Sequence, residues 1–291
     1  MLRCLPLAVL SLTLPAAAVA ELSATEIWRT GAVFRNPESV LHDPARGILY
    51  VSNVDGDVTA KDGRGFISQL GVDGKLMALE WVSGLNAPKG MALANDRLYV
   101  ADIDELVEID PASGAVVKRY AAPEAKFLND VAADATGNVY VSDMLTNKIH
   151  LLNEGVLLDW MAGPELENPN GLTVKGEKLY VGTWGVMKDG FATEVPGRIK
   201  VVSLADLSVA DFGSATPVGN MDGVEVLEAG TVLATDWVAG GLLAVSPDGE
   251  VQHLLDLDQG SADLAYIPDS NTVIIPMMSS GFVAAYRLQG S

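Results

Sequence analysis

The sequence predicts an all-β chain folded as a six-bladed β-propeller of four-stranded antiparallel blades. Three observations carry that expectation. First, one motif recurs six times: a polar turn, a short hydrophobic run, a tight turn, and a second hydrophobic run ending in a small residue with Asp or Asn. The copies are NPESVLHDPARGILYVSN, APKGMALANDRLYVAD, FLNDVAADATGNVYVSD, NPNGLTVKGEKLYVGT, NMDGVEVLEAGTVLATD and SADLAYIPDSNTVIIPM. Second, the centres of their second runs (Tyr50, Tyr99, Tyr140, Tyr180, Leu233 and Ile274) are 40 to 53 residues apart, the period of a four-stranded blade. Third, no long segment keeps apolar residues at helical spacing, whereas short alternating runs bounded by Gly, Asp, Asn and Pro are everywhere.

Taken in chain order, residues 1–20, MLRCLPLAVLSLTLPAAAVA, read as a secretion signal. Arg3 precedes an apolar run at 5–14, and Ala18-Val19-Ala20 offers a small-residue cleavage site. The run is shorter than the roughly twenty apolar residues that span a bilayer, so membrane insertion is not expected. The expected location is therefore periplasmic or extracellular. Cys4 is the single cysteine and leaves with the leader, so the mature chain has no disulfide or thiol chemistry. Residues 21–291 then form one propeller domain. Further strands of the blades are expected at 66–70, 106–109, 148–152, 198–202 and 242–245. A ring must also close, and a strand at 24–28 beside the final run at 282–288 would remove two exposed edges.

The formal charge of −19 and a pI near 4.4 exclude nucleic acid as a natural partner, because such a surface repels phosphate backbones. Most of that charge serves solubility. The acids that matter are those the fold gathers. In a blade, the innermost strand starts on the same face of the disc for every copy, so the residue at its head points toward one mouth of the channel. Those residues are Glu38, Lys89, Asn129, Asn170, Asp222 and Asp263. Any one alone is ordinary turn chemistry. Together they place three carboxylates against one lysine, an excess of two negative charges that a divalent cation would neutralise. Oxygen donors without Cys or clustered His suit a hard ion, calcium first, with magnesium, manganese and zinc as the other divalent candidates. A water-filled polar channel is the alternative.

These motifs resemble the gluconolactonase, regucalcin and senescence-marker-protein family, whose six-bladed propellers hold one divalent ion in the channel; arylesterase and paraoxonase propellers are similar more distantly. The resemblance covers the mature chain. It implies metal ligation by Glu38 of NPESV, Asn170 of NPNG and Asp222 of MDGVEV, with Asn129 of LND and Asp263 as further oxygen candidates. It also implies a metal-dependent hydrolase of a lactone or related small ester, in which Asp222 takes a proton from the attacking water while the metal polarises the carbonyl. Asn129, Lys89, Trp184 and Trp237 are the expected substrate contacts. Members that open sugar lactones commonly carry an arginine where this chain has Phe127, which weighs against a sugar substrate. Lys89 and Asp263 depart from the family pattern; Lys89 could pair with Asp263, meet a substrate carboxylate, or extend to solvent.

The loops after the second strands share this face, making Asp55, Asp104, Met144, Trp184 and Trp237 candidate pocket walls. Packing between blades is the other reading of the two tryptophans. Asp102, Asp143 and Asp236 read as turn caps, Asp55, Asp57 and Asp62 give a weak hint of a second cation, and the insertions DGDVTAKDGRG and GVMKDGFATEVPG each could form a lid. His42, His150 and His253 occupy repeat positions that do not correspond, and no Gly-x-Ser-x-Gly elbow occurs, so a serine triad is not expected. The competing class is a noncatalytic binding or scaffold propeller with a structural calcium and a protein partner. A closed cleft would favour a small-molecule enzyme, and a flat open face a protein partner.

Overall fold

A computed structural model describes residues 22–290. The leader at 1–20 therefore lies outside the described residues. Six four-stranded antiparallel sheets surround one axis. Blade one runs Pro37–Asp43, Ile48–Asn53, Gly65–Gly71 and Leu76–Leu85, and blades two, three and five repeat that order. In blade four a two-stranded hairpin, Gly185–Asp189 with Ala192–Pro196, interrupts the sheet between its second and third strands. Among the described residues there is no α-helix, only the short 3-10 turns Pro164–Leu166 and Pro268–Ser270.

Blade six closes the ring as the sequence suggests. Ser23–Arg29 pairs antiparallel with Phe282–Gln289, with Trp28 opposite Ala285, so the first described strand supplies the outer edge of the last blade. At the axis the closure is made a second time by backbone: Asp263 N–H donates to the Glu38 carbonyl at 2.9 Å, and Val40 N–H to that of Asp263 at 3.3 Å.

Apolar side chains fill the wedge between each neighbouring pair of blades, which is why alternate residues on both faces of the inner strands are hydrophobic. Tyr50, Ile67 and Val82 of blade one meet Met91, Leu98 and Ile109 of blade two. The pattern repeats around the ring, and the wedge between blades six and one packs Ile274, Val283 and Ala285 against Val40, Leu49 and Val51, with Trp28 alongside.

One irregularity recurs and decides where the polar residues go. In blade one Pro37 faces Asn53 but Val40 faces Val51, a slip of one residue in the ladder. The same slip separates Pro88 from Met91, Leu128 from Val131, Pro169 from Leu172 and Met221 from Val224. Each is a β-bulge that frees two residues of the inner strand from ordinary alternation and re-aims a side chain. The freed pairs are Glu38-Ser39, Lys89-Gly90, Asn129-Asp130, Asn170-Gly171 and Asp222-Gly223.

In blades two to five the second residue of the pair touches the next blade, whereas in blade one Ser39 meets Asp263 of blade six. A Cβ added at Gly171 would lie 1.8 Å from the Asp222 carbonyl oxygen, and one at Gly90 would lie 2.5 Å from the Asp130 Cα. Gly171 is therefore required by the approach of blade five and not by a left-handed turn. Elsewhere a hydroxyl spans the same gap. Ser142 Oγ accepts from Asp130 N–H at 2.9 Å and donates to the Asn170 carbonyl at 2.7 Å; Thr235 Oγ1 links Gly223 N–H to the Ala262 carbonyl in the same way. Replacing Gly171 by Ala forces backbone apart and should lower stability by about 3 kcal/mol or more. Denaturant titration of G171A beside the parent protein checks this, and a shift below about 1 kcal/mol would contradict the close-approach argument.

Candidate functional site

The bulges bring Glu38, Lys89, Asn129, Asn170 and Asp222 to the floor of a cavity of about 210 Å³ on one face of the disc. All five are buried. Asp263 is buried too, but it lines a wider funnel of about 780 Å³ at the opposite mouth, together with Asp130 and Glu225, and its Oδ2 accepts from Ser39 Oγ at 2.6 Å. The ring read from the sequence is thus divided between two levels of the channel.

On the upper floor the polar atoms are incompletely matched. Asn170 Nδ2 donates to the Met221 carbonyl at 2.9 Å and to Asp222 Oδ1 at 3.0 Å. Those two bonds fix the amide so that its Oδ1 is left, buried and without a hydrogen-bond partner. Glu38 Oε2 is buried and unpartnered as well. Two orphaned oxygens next to Asp222 are costly unless something positive or proton-donating meets them. Lys89 does not fill that role. Its Nζ donates to the carbonyls of Ala87 at 2.9 Å and Val58 at 3.1 Å and sits 4.5 Å from the centre of the Phe127 ring. With 1% exposure it does not reach solvent, and no ion pair with Asp263 forms among the described residues.

The electrostatics follow from burial. Desolvation pushes the Glu38 carboxyl well above the usual range, the Asp222 charge adds to this, and Lys89 offsets part of it. Burial and then the charge of Asp263 raise Asp222, against the Asn170 hydrogen bond. Asp130 is raised by the same causes, and burial lifts Asp263 to about 7. Burial also lowers Lys89, to about 8. The floor resists carrying its full negative charge without a counter-ion.

The donor set fits a hard divalent cation: two carboxylates and one amide oxygen, with two of the oxygens unpartnered. Among the described residues no group of three or more His, Cys, Asp or Glu converges as a metal site, so Asn170 would be an essential third ligand and water or substrate would complete the shell.

Above the floor the walls are apolar. Met144, Trp184 and Trp237 each directly follow a second strand, and their backbone N–H groups bond to Phe127, Asn168 and Asn220 at 3.1, 2.9 and 3.0 Å. The equivalent positions in blades one and two are Val54 and Ile103, one residue before Asp55 and Asp104. Those two aspartates do not line the cavity; Asp55 pairs with Arg64, and Asp104 with Lys61. Asp57 and Asp62 likewise spend oxygens on the nearby backbone of Thr59 and Arg64, leaving no second cation cradle in that loop. The strand-end aspartates are caps: Asp102 holds the N–H groups of Asn86 and Ala87, and Asp143 those of Lys126 and Phe127.

Four wall residues escape the sequence reading in that role. Met278 sits at the sixth-repeat equivalent of Trp237, which the repeat alignment could have shown. Phe127 ends the turn before its strand, whereas Val58 and Phe191 come from the two insertions. For those two the sequence carries no signal beyond the insertion itself.

No family model and no curated protein matches the sequence. Solved structures do. Virginiamycin B lyase from Staphylococcus aureus, crystallised as an inactive histidine-to-alanine variant with quinupristin, superposes with a TM-score of 0.63 at 12% identity, covering 92% of this chain and 99% of that one. A streptogramin B lyase gives 0.64 at 12%, covering 92% and 98%. A gluconolactonase from Xanthomonas campestris gives 0.63 at 16%, covering 91% and 99%. At these identities the likeness establishes a shared propeller fold.

A carboxyl whose value is raised by folding stabilises the native state at low pH and loses that contribution as pH rises through the folded value. For Asp263 the window runs from 3.8 to about 7, and Glu38, Asp130 and Asp222 act in the same direction. Metal-free protein should therefore melt at a higher temperature at about pH 5, where lowered aspartates such as Asp134 and Asp143 are still ionised, than at neutral pH. Saturating calcium should raise the neutral-pH melting temperature and flatten the profile. Differential scanning fluorimetry across pH, with and without calcium, reads both; a metal-free profile rising toward neutral pH would contradict the assignment.

Proposed function

We propose that the chain is a divalent-metal-dependent hydrolase of a lactone or related small ester, acting from the upper end of the channel and related in chemistry to the gluconolactonase-type propellers. The observation that carries this reading is the pair of buried, unpartnered oxygens, Glu38 Oε2 and Asn170 Oδ1, beside Asp222 on the floor of a recessed cavity. A divalent cation held there would supply Lewis acidity to a bound carbonyl oxygen.

The protein's own groups then divide the work. Glu38 and Asp222 supply charge, and Asn170 supplies a neutral oxygen oriented by its two amide bonds. Asp222 Oδ1 is held by Asn170, which leaves Oδ2 to take the proton of an attacking water and return it to the leaving alkoxide. Asn129 makes no side-chain hydrogen bond among the described residues, so its amide is free to hold substrate or complete the metal shell. Lys89, two of its donors spent on carbonyls, has one left for substrate oxygen. The apolar walls exclude bulk water.

The recessed cavity favours a small molecule over a protein partner. Lys89 supports the noncatalytic alternative, in which a calcium only stabilises the channel, because a fixed cation on the floor replaces an oxygen donor. Lyase chemistry like that of the virginiamycin-cleaving neighbour has less support: an inactive form of that enzyme lacks a histidine, and no histidine lines the upper cavity here.

Initial rates on a panel of lactones, after chelation and again after adding calcium, magnesium, manganese or zinc, test the reading. Metal should restore turnover, and D222A should lower it by a hundredfold or more, about the contribution of a positioned general base. A calcium-dependent rise in melting temperature without turnover of any lactone or ester would give the noncatalytic alternative the lead.

A further inference from the structure

We propose that the substrate is amphipathic: a small lactone or ester carrying an alkyl or aryl group, with its carbonyl on the polar floor and its apolar part in a sleeve gated by Phe191. This rests on the hydrolase reading above and adds the substrate class to it.

The cavity separates its polar and apolar surfaces by level. Every ionisable or amide side chain that lines it, Glu38, Lys89, Asn129, Asn170 and Asp222, lies on the floor. The sleeve above consists of Val58, Phe127, Met144, Trp184, Phe191, Trp237 and Met278. Its rings form a continuous aromatic surface: Phe127 and Phe191 have centroids 5.4 Å apart, Trp184 and Phe191 6.4 Å, and Trp184 and Trp237 6.0 Å.

The sleeve offers few hydrogen bonds, the indole of Trp237 being its one side-chain N–H without a partner among the described residues. The indole N–H of Trp184 donates at 2.7 Å to the Phe191 carbonyl and is not open to a ligand. A ring bearing hydroxyls on every carbon would bury several of them against carbon and leave them unpaired, whereas an alkyl or aryl group buries there at no such cost. A volume near 210 Å³ lies below the roughly 300–1,000 Å³ of sites for drug-sized ligands, so the group is short.

Phe191 is the gate. It sits at the tip of the hairpin that interrupts blade four, with 40% of its surface exposed, yet it lines the cavity and completes the aromatic sleeve. The hairpin is fastened at two points independent of the phenyl ring, through Trp184 Nε1 to the Phe191 carbonyl and through Asn220 Nδ2 to Thr193 Oγ1 at 3.0 Å. Shortening the side chain therefore removes a contact without undoing the hairpin.

The test compares kcat/KM of the metal-loaded full chain for δ-decalactone and glucono-δ-lactone, which share a reacting ring and differ in what surrounds it. The expected result is a preference of at least about tenfold for δ-decalactone, narrowed by about tenfold in F191A and retained in F191Y. Equal turnover, or preference for the polyhydroxylated ring, overturns the inference while leaving the hydrolase reading intact. If neither lactone is hydrolysed, that reading fails, and binding of the two corresponding lactams, followed by quenching of tryptophan emission, decides the inference alone. Tighter binding of the alkyl lactam, weakened in F191A, upholds an apolar ligand; tighter binding of the polyhydroxylated lactam, or no binding of either, overturns it.

Discussion

The close approach of neighbouring inner strands at the axis is the constraint on which the rest of this molecule depends. Six twisted sheets can share one axis only if something yields where their first strands converge. Here the yielding element is a one-residue bulge in blades one to five, which takes two residues out of each ladder. One residue of the pair is small or hydroxyl-bonded because a neighbouring backbone lies against it. The other is thereby turned into the channel, and a packing requirement becomes a ring of buried polar side chains.

That ring is held at an electrostatic disadvantage. Five carboxyls that line the channel are raised by burial, and the amide of Asn170 is locked so that an unpaired oxygen remains. Stability for the whole disc comes from the six apolar wedges between blades, which allow a strained polar floor to persist. A bound cation would relieve the same groups that the packing forces together, so the site and the fold are coupled through charge. Lys89 only partly relieves them, since its ammonium is tied to backbone carbonyls and an aromatic ring.

The upper and lower mouths of the channel differ in character for a topological reason. Loops that follow second strands, together with the two insertions, rise over the upper mouth and enclose a small cavity. Only the short turns between first and second strands surround the lower one, which stays a wide funnel. The enclosed cavity and its apolar walls are thus found at the end that carries Glu38, Asn170 and Asp222.

The repeat, its period and its strand alternation were sufficient to specify six blades and the closing strand, because those features depend on local hydrophobic patterning that every copy repeats. The heads of the inner strands were legible for the same reason, as were the caps Asp102 and Asp143. Other features depend on contacts between residues far apart in the chain. Nothing in the sequence shows why position 171 must be glycine; the carbonyl of Asp222 in the next blade is what excludes a side chain there. The sequence reading counts Asp263 with the upper ring, but the hydrogen bond from Ser39, 224 positions away, and the adjacent bulge seat it in the lower funnel. Likewise Phe191 joins the cavity only because an inserted hairpin folds back over blade four. The amino-acid sequence by itself determined the repeating unit and which residues approach the axis; the tertiary structure decided their level in the channel and their partners, since both are set by how neighbouring blades meet.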